Sequence, residues 1–113
     1  MSVEKKAGTP NKQDSLLKES FEEICELVAQ TSNPKLISDF FDCLFTPGER
    51  KDFSMRWLLV KEIDKGTTQR EIAKKFGMSL CKITRGSREL SKEDSAFRTM
   101  LALLNENNQQ TST

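Results

Sequence analysis

Apolar residues recur along this chain at helical spacing, and no stretch shows the strict alternation of a strand. Leu17, Phe21, Ile24 and Val28 step along one face, widened by Leu16, Cys25 and Leu27, which predicts a first amphipathic helix. Asn33-Pro34 then reads as an N-cap with proline at the first helical position. Leu36, Ile37, Phe40, Phe41, Leu44 and Phe45 make the helix that follows apolar almost all round, so it is expected to be buried between subunits. Thr46-Pro47-Gly48-Glu49 has the form of a capping box and opens a third helix carrying Phe53, Trp57 and Val60. That helix is predicted to end at Lys65-Gly66, with Trp57 in the core.

The segment 68–90 carries the clearest local signals. Thr68-Gln69-Arg70-Glu71 is a capping box, and Ile72 and Phe76 lie four apart behind it, with small Ala73 leaving room for a neighbouring helix. Gly77 suits a left-handed C-cap, Ser79 caps the next helix, and Leu80 and Ile83 share one face of it. A helix, a short turn containing glycine, and a second helix make the helix-turn-helix pattern. Ser91-Lys92-Glu93-Asp94 resembles a further helix start, leading into Phe97, Met100, Leu101 and Leu104. The expectation is therefore an all-α fold of six helices over 14–104. Residues 1–13 read as a flexible N-terminal arm and 105–113 as a disordered polar tail, because neither stretch has much to bury.

Charge sharpens the reading of the middle segment. Between Arg70 and Lys92 stand seven basic and two acidic residues, a net +5 in a chain whose total is +1. A positive field concentrated in that way suits a polyanion. In a helix-turn-helix the second helix enters the major groove of double-stranded DNA with its first residues at the base edges. Here those are Ser79, Leu80, Cys81 and Lys82, with Thr84 one turn on, while Arg70 and Lys74 are placed for backbone or guanine contacts.

Composition argues against several other classes. The chain has no His and no Tyr, which removes the commonest general base and most nitrogen metal ligands, so an enzyme is not expected. Cys25, Cys43 and Cys81 stand far apart with no C-x-x-C pair, so no metal site is indicated. They read as reduced thiols of a cytoplasmic protein, Cys25 and Cys43 as small buried hydrophobes. No apolar run approaches membrane-spanning length, and no glycine loop for phosphate is present. With 35% hydrophobic residues, a second copy would help complete the core, so a homodimer is expected.

Phe45-Thr46-Pro47-Gly48-Glu49-Arg50, Arg56, Gln69-Arg70-Glu71 and above all Ile83-Thr84-Arg85-Gly86-Ser87 together resemble the bacterial tryptophan repressor family. The likeness implies an intertwined all-helical homodimer that binds operator DNA when L-tryptophan, its corepressor, occupies a pocket in each half. It places the indole between Arg56 and Arg85, with Arg85 also meeting the ligand carboxylate; planar guanidinium groups serve both purposes. Gly86 would let backbone approach the ligand. Cys43, Phe45 and Thr46 would come from the partner subunit to hold the ammonium end, and Glu89 stands where a small hydroxyl residue usually helps. This chain departs from the family pattern at Glu89, at Trp57 beside Arg56, at Lys74, at Leu80-Cys81-Lys82 and in a shorter 66–68 connection. Two alternatives are a related helix-turn-helix regulator that ignores tryptophan, and a transposase-type targeting module.

Overall fold

The computed structural model of the protein describes residues 11–111, and among them there are six helices and no strand. They are α1 (Lys12–Gln30), α2 (Pro34–Leu44), α3 (Pro47–Asp64), α4 (Gln69–Phe76), α5 (Leu80–Ser91) and α6 (Ala96–Thr111). The chain divides into two units, the first ending at Thr46 and the second beginning at Pro47.

In the first unit the cap of α2 is the one the sequence predicts. The Asn33 carboxamide oxygen accepts from the N–H groups of Lys35 and Leu36, and Pro34 opens α2. The start of α1 differs from expectation: Asn11 caps it, its side-chain oxygen accepting from Asp14 N–H at 2.8 Å. Helix therefore begins inside the stretch read as an arm; the rest of that arm, residues 1–10, lies outside the described residues. Neither α1 nor α2 buries a single residue. Phe21, Leu17, Leu36 and Leu44 are exposed, and Phe40, Phe41 and Phe45 pack only partly, ring on ring along α2. Cys25 and Cys43, expected as buried hydrophobes, are accordingly exposed, since helices that bury nothing offer a thiol no interior.

The second unit builds its own core. Leu59 of α3, Ile72 of α4 and Ile83 of α5 form one buried cluster, joined by Ile63, Ala73, Phe76 and Met78. Ile72 and Ile83 are 0% exposed. Full burial of such a side chain contributes about 1.5–3 kcal/mol, so the pair locks the two short helices together and onto α3. Val60, Leu90 and Leu101 form a second cluster with Trp57 and Phe97, whose rings lie 6.4 Å apart, and this attaches α6. Trp57 is half-buried, consistent with a core role.

Two sequence expectations fail near the C-terminus. Ser91 does not start a helix; it closes α5, its hydroxyl donating to the Arg88 carbonyl. Leu90 is buried against Val60 and Leu101, and that packing holds the last turn of α5 in place. The next helix begins at Ala96, where the buried Ser95 hydroxyl accepts from Phe97 N–H. The polar segment from residue 105, expected to be disordered, continues α6 as far as Thr111.

Candidate nucleic-acid interface and ligand site

The α4–α5 pair is built from locally complete chemistry. Thr68 caps α4 in a full capping box: its hydroxyl accepts from Glu71 N–H at 3.2 Å, and Glu71 Oε1 accepts from Thr68 N–H at 3.2 Å. Gly77 closes the helix at φ 65°, ψ 28°, a left-handed conformation that a side chain would strain. Ser79 caps α5, its hydroxyl accepting from Lys82 N–H at 3.3 Å. The turn between the helices is thus three residues, Gly77 to Ser79.

The face α5 turns outward carries what the sequence expects to meet DNA. Leu80, Cys81 and Lys82 are exposed at its first turn, and Thr84 is partly exposed. A shallow open depression runs along this face, lined by Leu80, Cys81, Thr84, Arg85, Arg88, Glu89 and Lys92. Arg70 and Lys74 are exposed on α4. Ser79 is exposed too, but its hydroxyl is committed to the cap.

The opposite face of α5 meets α3. A Cβ placed on Gly86 would lie 2.9 Å from Leu59 Cδ2, so the two helices make close contact at this point and only a glycine fits without a shift. Gly86, expected to admit a ligand, here admits a leucine of α3. Arg56 precedes Leu59 by three residues, about one helical turn, on the same side of α3. Arg85 adjoins Gly86. Arg56 on α3 and Arg85 on α5, the two arginines expected to hold a ligand, are both exposed, Arg85 lining the outward depression, and among the described residues neither takes part in an ion pair. Glu89 is paired: Lys92 Nζ lies 3.0 Å from its carboxylate, both groups exposed, which is worth little energetically. Cys43, Phe45 and Thr46 belong to the first unit, Cys43 and Thr46 exposed and Phe45 partly so.

Sequence reasoning missed Glu62. It is the one charged residue fully inside the second unit among the described residues, its side chain 7% exposed. Lys65 Nζ donates to it at 3.0 Å, Thr67 Oγ1 donates at 3.1 Å, and Lys75 Nζ stands 4.0 Å away. The Lys65 ammonium holds the carboxyl below its ordinary value of 4.5; desolvation works against this, and the Thr67 hydroxyl and the Lys75 charge reinforce it. Glu62 shares a helical face with Leu59, four residues from Leu58 and three from Lys65, a spacing that could have drawn notice.

No set of three or more His, Cys, Asp or Glu side chains among the described residues could hold a metal ion, and no helix is long and apolar enough to cross a membrane.

The family model described as Trp repressor protein matches residues 19–105. The chain belongs to the Trp repressor family. The match spans both units, from the third turn of α1 to the middle of α6. A Trp operon repressor homolog of Chlamydia caviae is 41% identical over 81 residues, covering 71% of this chain and 80% of that protein. One of Chlamydia trachomatis serovar L2 is 38% identical over 76 residues, 66% of this chain and 81% of the relative. One of Vibrio parahaemolyticus is 32% identical over 85 residues, 74% of this chain and 82% of the relative. No solved structure gives a significant match. Membership in the Trp repressor family assigns the chain to a family of regulators.

Proposed function

We propose that the protein is a tryptophan-dependent transcriptional repressor that works as a homodimer on operator DNA in the cytoplasm. The observation that carries this reading is the close α3–α5 contact at Leu59–Gly86, made by two helices that also carry the exposed Arg56 and Arg85. A planar ligand stacked between two guanidinium groups bridges α3 and α5 and restrains the tilt of the reading helix. L-Tryptophan has the two features such a pair selects: an aromatic plane to stack and a carboxylate for Arg85 to pair with. Cys43, Phe45 and Thr46 of a second copy close the pocket around the ammonium, and Glu89 releases Lys92 to face it.

DNA contact follows from the other side of the same helix. Lys82, Arg70 and Lys74 meet phosphates, and the exposed Leu80 and Cys81 lie where side chains reach base edges. Apolar groups there favour the thymine methyl. The apolar faces of α1 and α2, uncovered in a single chain, are those a second copy covers.

The test is duplex selection from a random library with and without L-tryptophan, followed by the same binding with Arg85→Ala. The wild type enriches a sequence only with the amino acid, and Arg85→Ala loses that response while keeping salt-sensitive binding to random duplex. Enrichment that ignores tryptophan would favour a ligand-free regulator of the same fold.

A further inference from the structure

The buried carboxylate of Glu62 stands at the joint between the scaffold and the reading unit, and nothing in the proposed ligand or DNA contacts uses it. It sits in the last turns of α3. Its oxygens accept from Lys65 at the helix end, from Thr67 in the linker, and face Lys75 near the end of α4. The Thr67 N–H also donates to the Glu62 carbonyl at 3.1 Å, so residue 62 holds residue 67 through both backbone and side chain. Between those ties lies Gly66, at φ 94°. From Thr68 onward the chain is locked to itself by the capping box. Backbone bonds from Gly66 and Thr67 to the carbonyls of Ile63 and Glu62 close the turn, but a glycine there leaves more ways to bend than any other residue would. One carboxylate spans it, touching the helix before, the linker, and the helix after.

We infer that Glu62 is a positioning residue that sets the angle at which α4, and with it the DNA-reading α5, leaves α3. This rests on the DNA-binding reading above and adds to it a residue that touches neither ligand nor duplex. The apolar cluster of Leu59, Ile72 and Ile83 holds the helices together but is non-directional. The clasp adds direction, because a carboxylate with two hydrogen-bond donors and a second cation nearby has few ways to be satisfied at once.

A merely electrostatic role predicts the opposite sign. Removing a negative charge from a basic reading unit strengthens its attraction to any duplex. A positioning role predicts that Glu62→Gln weakens binding to the selected duplex, because two heads out of alignment cannot meet successive grooves together.

The experiment measures affinity for a duplex enriched by the wild type and for a random duplex, in wild type, Glu62→Gln and Thr67→Val, with amide hydrogen exchange of the free proteins alongside. Glu62→Gln is expected to lose about tenfold on the selected duplex while affinity for the random one holds or rises. Thr67→Val, which removes one donor and no charge, shifts in the same direction by less, and carries the comparison if Glu62→Gln does not fold. Amides of α4 exchange faster in both variants. Equal gains, or equal losses, on the two duplexes would overturn the proposal. Should the wild type enrich no duplex, the DNA-binding reading fails, and exchange in α4 alone decides the clasp: faster exchange supports it, unchanged exchange overturns it.

Discussion

The two units of this chain are both helical, yet they solve burial in opposite ways. From Pro47 onward, apolar residues at helical spacing find partners within the chain, and Ile72 and Ile83 disappear from solvent entirely. Among the described residues up to Thr46 the same kind of pattern buries none fully, and Phe21 remains 67% exposed. Periodicity therefore marks which face seeks cover; it does not say whether the cover comes from the same chain. A single chain can bury a core in one unit and leave the apolar faces of the other exposed.

That contrast breaks most forcefully at the cores. Ile83→Ala is expected to cost about 2–5 kcal/mol in urea unfolding, with little dependence on protein concentration. Phe21→Ala separates the possibilities for the first unit. If a second copy covers α1, the variant loses stability in a concentration-dependent way and sediments toward monomer; an exposed surface position would move by no more than about 0.5 kcal/mol.

Within the second unit, Gly86→Ala tests the helix contact. Crowding Leu59, which is itself buried, costs about 1–3 kcal/mol, and the better helix propensity of alanine returns up to about 1 kcal/mol, so a net loss appears in the unfolding midpoint. A stabilised Gly86→Ala protein would mean that α3 and α5 stand farther apart than described. Thr68→Ala removes the capping box and should cost about 1 kcal/mol, seen first as faster amide exchange in α4. The smallest effect is that of acid. The Glu62 carboxyl is held below its ordinary value, so its contribution is present above pH 4.5 and is lost as pH falls through the lower folded value. The acid limb of the stability profile should flatten in Glu62→Gln.

What the sequence made legible follows the same division. The caps at Asn33, Thr68 and Ser79 and the turn at Gly77 are written in a few adjacent residues, and each is found where expected. Features decided by distant packing were not legible. Ser91 has the spacing of a helix start, but burial of its neighbour Leu90 keeps it in α5, and Ser95 takes the capping role. Glu62 reads as one more charge on a helix until Lys75, thirteen positions away, is brought beside it. Gly86 was legible as a place of close approach, though not what approaches it: α3 through Leu59. Arg56 and Arg85 were singled out through the family motif alone, since nothing in their local spacing separates them from any exposed arginine.

The central claim is that an aromatic amino acid binds beside the α3–α5 contact and couples to DNA. Calorimetric titration of the protein with L-tryptophan, in the absence and presence of a selected duplex, tests it most directly. The account predicts a binding heat that Arg85→Ala abolishes, and tryptophan affinity raised by the duplex by the same factor as tryptophan raises duplex affinity, roughly 5–150-fold. No binding heat, together with duplex affinity indifferent to the amino acid, would contradict it.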